Sequence, residues 1–115
     1  MTAWALRRSE GSVEVLICER KPLVLPRDLG ELFIALAPHV DALTRDSDGS
    51  FKSSQILVHE LGSRLGEIVT RRDLRRAIVR LRRALDRQGH SGRRLVESRR
   101  RAGWRLRLRR VEVRR

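Results

Sequence analysis

Arginine is the residue type whose number and spacing in this chain point most clearly to a chemical role. The sequence has 27 Lys and Arg against 14 Asp and Glu, a formal net charge of +13. Residues 61–115 carry 20 arginines and 5 acids, whereas residues 1–60 carry 7 cations and 9 acids. The planar guanidinium donates paired hydrogen bonds to phosphate and to guanine. Arginine clusters at 71–83 and 93–110 therefore predict an anionic partner, with nucleic acid ranked before a membrane surface.

Residues that could support catalysis or bind a metal lack the partners that such chemistry requires. His59 and Glu60 begin like the HExxH motif of zinc proteases, but Ser63 stands where the second histidine ligand belongs. Asp46 and Asp48 have the spacing of a calcium loop that then lacks its glycine and its final glutamate. The sequence contains no glycine-rich phosphate loop. We therefore expect a protein that is not an enzyme and that uses no metal or cofactor.

The length of 115 residues fits one domain, which can bury a core without metal or disulfide support. The single cysteine, Cys18, excludes an internal disulfide, and its apolar neighbours in a predicted strand favour a buried thiol. No apolar run approaches the roughly 20 residues of a membrane span, and the N-terminus lacks the apolar segment of a signal peptide. We therefore expect a soluble, cytoplasmic domain without a membrane partner.

Residues 1–25 predict a small antiparallel sheet. The segments 3–8 and 13–18 are rich in residues that favour strands, and a Ser-Glu-Gly-Ser turn separates them. A third short strand follows at 23–25.

Three helices are predicted within a core spanning residues 26–88. The first begins after Pro26 and ends or bends at Pro38, and a loop over 45–50 follows. The second begins at the serines 53–54, which can cap it, and stops at Gly66. A core of eight residues is expected from the apolar spacing of these helices and the last strand: Leu29, Phe33, Leu61, Leu74, Ile78, Leu81, Leu85 and Trp104.

The third helix is predicted to begin at Thr70, where Asp73 completes a capping box, and to run to about Arg87. Its apolar face comprises Leu74, Ala77, Ile78, Leu81 and Leu85. The opposite face carries Arg72, Arg76, Val79 and Arg83, with Arg75 and Arg80 beside it. This helix is therefore expected to pack one face against the core and to present the other face to an anion.

The C-terminal part alternates between apolar and basic residues and predicts a β-hairpin over 93–109. The apolar face of its second strand comprises Trp104, Leu106 and Leu108. The turn carries Arg99, Arg100 and Arg101, so the hairpin has a positively charged tip. Residues 1–110 are expected to form the domain, and 111–115 to form a basic tail.

Three segments resemble the winged-helix DNA-binding domain of OmpR/PhoB-type response regulators. RAIVRLRRAL at 76–85 is similar to the end of that family's third helix, and VESRRRAGWRL at 96–106 is similar to its wing. LVLPRDLGELFIALA at 23–37 resembles the segment that joins the family's N-terminal sheet to its first helix. The resemblance covers roughly residues 3–109. It implies an α+β fold, a winged helix-turn-helix with a short N-terminal antiparallel sheet, three helices and a C-terminal hairpin wing.

The chain departs from the family pattern in several places. Arg101 stands where the wing usually has glycine, residues 71–76 are more basic than the usual start of the third helix, and 38–66 match poorly. The sequence also contains no receiver domain, so we expect the family's phosphorylation switch to be absent. SARP-type regulators carry a similar domain and are a closely related interpretation.

The resemblance implies that the third helix, 70–87, enters the major groove of duplex DNA and that the wing, 98–103, enters the minor groove. We therefore predict a sequence-specific bacterial transcription regulator or architectural factor, associated with the nucleoid, with RNA polymerase or another regulatory protein as a further partner. The residues assigned to DNA are Arg71, Arg72, Arg75, Arg76, Val79, Arg80, Arg83, Arg99, Arg100 and Arg101.

Two other functions remain open at this point. A winged helix can direct its basic face to an acidic protein, as a protein-interaction module. RNA binding ranks lower, because sequence-specific RNA readers usually stack bases on aromatic side chains. This chain has four aromatic residues, and three of them lie outside the arginine clusters.

Overall fold

The chain forms an α+β structure in which a four-stranded sheet, three main helices and a C-terminal β-hairpin surround one hydrophobic core. This confirms the α+β class expected from the sequence. The computed structural model describes residues 2–18, 21–37, 51–108 and 110–114. The helix end predicted at Pro38 and the loop predicted over 45–50 lie outside these described residues.

The strands and helices follow the predicted order, with two additions near the C-terminus. In chain order they are β1 (Thr2–Arg7), β2 (Val13–Ile17), β3 (Leu23–Leu25), α1 (Arg27–Leu36), α2 (Ser54–Leu65), α3 (Arg71–Arg87), α4 (Gly92–Leu95), β4 (Val96–Arg99), β5 (Gly103–Leu106) and β6 (Arg110–Arg114). The additions are the short helix α4 and the strand β6.

The larger sheet has the strand order β3-β2-β1-β6. Its first three strands are antiparallel, as predicted, but β6 pairs in parallel with β1, where Val111 lies opposite Ala3. The prediction of a basic tail over 111–115 is therefore wrong for the described residues of β6. The Val-Glu-Val alternation at 111–113 has the period of a strand, and Val111 is buried against the core.

The three helices are held at their ends by the residues that the sequence indicated. Pro26 is the N-cap of α1, and the Ser53 side chain accepts a hydrogen bond from the Ile56 N–H at the start of α2. Gly66 ends α2 with a left-handed φ of 69°. α3 begins with the predicted capping box between Thr70 and Asp73. These local signals fix where each helix starts relative to its apolar stripe.

The core lies between the inner face of the larger sheet and the three helices. Seven of the eight predicted core residues are buried, and Trp104 is partly buried against the same cluster. Arg7 on β1 pairs with the buried Glu31 of α1 at 2.8 Å, which attaches the sheet to that helix. No described helix is long and apolar enough to cross a membrane.

Cys18 is exposed, which contradicts the expected buried thiol. Val13, Val15 and Ile17 are the inward positions of β2, so the alternation of a strand directs residue 18 outward. The strand also ends at Ile17, and Cys18 has a positive φ of 55°.

The C-terminal hairpin is shorter than the predicted 93–109. Ser91 caps α4, and the Gly92 N–H donates to Asp86 of α3 at 2.8 Å, so residues 92–95 form a helical turn instead of a strand. The hairpin strands are β4 and β5, with Val96 opposite Leu106 and with a turn over 100–102.

Candidate nucleic-acid interface

The exposed face of α3 is fixed by the burial of its opposite face. Leu74, Ile78 and Leu81 are 2% exposed or less, so the helix cannot rotate without removing them from the core. Val79 lies on the other side and is 44% exposed. The ten residues that the sequence assigned to DNA are all exposed: Arg71, Arg72, Arg75, Arg76, Val79, Arg80, Arg83, Arg99, Arg100 and Arg101.

Most arginines on this face form no ion pair with a described residue. Within the described parts of the chain, no ion pair involves the following side chains: Arg71, Arg72, Arg75, Arg76 and Arg83. Arg71 and Arg75, and also Arg72 and Arg76, are like charges four residues apart. Each such pair destabilises an isolated helix by about 0.2–0.5 kcal/mol. An external anion would relieve this repulsion.

Arg80 differs from these arginines because it has a partner. Its Nη1 lies 2.7 Å from the Asp28 carboxylate, which links α3 to the first turn of α1. Both side chains are well exposed, at 52% and 39%, so the pair adds little stability. Arg80 can contact a ligand only by leaving Asp28 or by sharing its guanidinium with it.

Arg82 has a structural role that its place among other arginines in the sequence does not indicate. Its Nε and Nη2 donate to the Val96 carbonyl oxygen at 3.1 and 2.7 Å, which fastens α3 to the first residue of β4. Burial lowers the pKa of the Arg82 guanidinium, and the positive charge of Arg93 lowers it further. The group nevertheless remains protonated, because arginine does not lose its proton in proteins. Arg82 therefore positions the hairpin.

The hairpin turn presents two arginines beyond the last strand pair. The Ala102 N–H donates to the Arg99 carbonyl at 3.0 Å, so Arg100 and Arg101 are the central residues of a four-residue turn. Arg101 has a φ of 68°, a left-handed conformation that favours glycine. This is the position at which the resembled family usually has glycine, so the arginine occupies it at some conformational cost.

A third short strand segment lies beside the hairpin and was not predicted. Lys52 forms an isolated antiparallel bridge with Trp104, with hydrogen bonds of 2.8 and 3.0 Å between their backbones. Gly103 makes this close approach possible, because a Cβ at that position would lie 1.8 Å from the Lys52 carbonyl oxygen. The adjacent Phe51 ring contacts two guanidiniums, those of Arg99 at 4.6 Å and Arg105 at 4.4 Å. An aromatic residue just before the predicted start of α2 was the available sequence signal.

Among the described residues, no group of three or more histidines, cysteines or acids is arranged to hold a metal ion. A groove of about 740 Å³ between α2 and residues 67–69 includes His59 and Glu60, but its walls also include the exposed Ile56 and Ile68.

Comparison with known proteins finds no match to a protein-family model, a curated protein or a solved structure.

Proposed function

We propose that this chain is a winged helix-turn-helix protein that binds double-stranded DNA sequence-specifically and acts as a bacterial transcription regulator. α3 enters the major groove, which is about 12 Å wide and admits a helix. The turn of the hairpin, within residues 98–103, contacts the adjacent minor groove. The observation that carries the proposal is the row of exposed arginines on α3, most of which form no ion pair with a described residue.

The connections of α3 support this proposal. α1 packs against both α2 and α3, and the residues 66–70 join α2 to α3 by a short turn. At the other end of α3, Arg82 and Asp86 bond to the start of β4 and to α4. The hairpin turn begins three residues beyond Val96, roughly 10 Å along the strand. Its arginines are thus held at a defined distance from the arginine face of the helix.

The positions on α3 divide into two kinds of contact. Arg72, Arg75 and Arg76 lie near the N-terminal end of the exposed face and are assigned to base edges, where arginine pairs with guanine. Val79 offers an apolar surface for a thymine methyl group. Arg83 lies further along the helix and is assigned to phosphate, which sets orientation without reading sequence.

Selection of binding sites from random duplex DNA tests the proposal. We expect the full chain to enrich one short motif, and an Arg72→Ala/Arg76→Ala variant to lose that enrichment while staying folded. Poly-glutamate serves as the matched polyanion control, because an acidic-protein module would bind it as well as DNA. Failure to enrich any motif, or displacement of DNA by equal charge concentrations of poly-glutamate, would contradict the proposal.

A further inference from the structure

Phe51 and two arginines form a cluster on one face of the hairpin. Because Lys52 pairs with Trp104, the antiparallel register places Phe51 across from Arg105. Arg105 in turn lies opposite Glu97 on β4, and Arg99 extends from the same face of β4. Both guanidiniums lie over the phenyl ring, at 4.6 and 4.4 Å from its centre, within the usual limit of about 6 Å for a cation–π contact.

The residue that follows Phe51 is anchored to three elements of the fold. Lys52 bonds through its backbone to Trp104, and its Nζ donates to the Ala35 carbonyl at 2.6 Å and to Glu60 at 3.0 Å. These contacts attach the segment to β5, to the end of α1 and to α2. The backbone beside Phe51 is therefore fixed by contacts that do not involve the two stacked arginines.

The two stacked arginines differ in their counter-charge. Arg105 Nε lies 2.9 Å from the Glu97 carboxylate, whereas Arg99 forms no ion pair with a described residue. Two positive charges thus contact one ring, and Arg99 is the one that pairs with no carboxylate among the described residues. Arg99 is also exposed at the end of β4.

We propose that Arg99 is a preorganised phosphate-binding residue and that Phe51 is its positioning residue. Stacking covers a face of the guanidinium and leaves its N–H groups, which point outward in the guanidinium plane, to donate to phosphate oxygens. Holding the side chain in advance also reduces the conformational entropy that binding would cost. This inference rests on the proposed function, because the phosphate is taken to be that of the duplex DNA backbone. Arg100 and Arg101 contact no ring among the described residues and bind without this preorganisation.

A double-mutant cycle on DNA affinity tests the role of Phe51. Phe51→Leu keeps an apolar side chain but removes the ring, and we expect it to weaken duplex binding about two- to five-fold, as for an exposed cation–π contact. In an Arg99→Ala background, the same change should have no further effect. In an Arg100→Ala background, the matched control, it should have its full effect. Phe51→Trp should restore the affinity. Equal effects of Phe51→Leu in both backgrounds would overturn the proposal.

A second measurement separates this inference from the proposed function. In the free protein, we expect the Arg99 Nε–H resonance to show a ring-current shift that Phe51→Leu removes and Phe51→Trp retains. Inorganic pyrophosphate should move the Arg99 resonance at lower concentration in the wild type than in Phe51→Leu, with thermal unfolding confirming that both are folded. If the wild type binds no duplex DNA but pyrophosphate gives this result, the proposed function fails and the phosphate site stands. If pyrophosphate moves the Arg99 resonance equally in both proteins, or not at all, the phosphate site is refuted.

Discussion

Thr70 and Asp73 exchange two hydrogen bonds at the start of α3. The Asp73 N–H donates to the Thr70 hydroxyl at 3.1 Å, and the Thr70 N–H donates to the Asp73 carboxylate at 3.0 Å. The pKa of Asp73 is lowered, first by the bond from the Thr70 backbone and then by the Thr70 side chain, with smaller contributions from Arg76 and Arg72. The helix that carries the proposed DNA contacts thus begins at a defined residue.

The first prediction concerns the pH dependence of this cap. Because folding lowers the Asp73 pKa, its stabilising contribution is present above the ordinary aspartate value of about 4 and is lost as the pH falls through the lower folded pKa. Thr70→Ala should raise the Asp73 pKa, and Thr70→Ser should leave it low. Carboxyl-carbon NMR titration measures both. An unchanged Asp73 pKa in Thr70→Ala would contradict the account of the cap.

The second prediction separates core from contact residues on α3. Ile78→Ala should destabilise the fold by about 2–4 kcal/mol, because it leaves a cavity in the core. Arg76→Ala should change stability by less than about 0.5 kcal/mol and should lower DNA affinity. Urea unfolding and fluorescence anisotropy measure the two effects. If Arg76→Ala unfolds the domain while Ile78→Ala does not, the helical register is wrong.

The third prediction concerns the bond between α3 and the hairpin. Arg82→Met retains the apolar stem but leaves the Val96 carbonyl without its charged donors, and should destabilise by about 1.5–3 kcal/mol. The neighbouring Arg83→Met is the matched control, since Arg83 has no partner in the described residues, and should stay within about 0.5 kcal/mol. Similar unfolding midpoints for the two variants would show that Arg82 does not hold the hairpin.

The fourth prediction concerns the left-handed residue in the hairpin turn. Arg101→Gly should stabilise the domain by roughly 0.5–1 kcal/mol, because glycine adopts the φ of 68° without the strain of a side chain. Arg101→Ala retains the strain and should not be stabilising, which makes it the control for loss of charge. Both variants should bind DNA more weakly than the wild type. Higher thermal stability for Arg101→Ala than for Arg101→Gly would contradict this explanation.

The helices could be predicted from the sequence because their signals are local. A capping box, a proline N-cap, a serine cap and a terminal glycine each act within a few residues. The apolar residues of α3 recur with a period that only a helix satisfies. The position of the arginine face on the opposite side could therefore be predicted from the sequence. Leu74 and Ile78 are buried as the spacing required.

The remaining features depend on contacts between distant segments. β6 forms because it pairs with β1, where Val111 lies opposite Ala3, more than 100 residues earlier in the chain. The Phe51 cluster forms because Lys52 pairs with Trp104, and no local pattern encodes that pairing. Arg82 resembles its arginine neighbours in sequence, and only the position of Val96 distinguishes it.

The most direct test of the central claim is the salt dependence of binding to a duplex that carries the selected motif. If α3 and the hairpin together neutralise about six phosphates, log K should fall against log salt concentration with a slope near −5. Replacing Arg83 or Arg99 by alanine should make that slope shallower by about 0.9, and a scrambled duplex should bind more weakly at every salt concentration. A flat salt response, or no binding at about 50 mM salt, would contradict the claim that this chain binds duplex DNA.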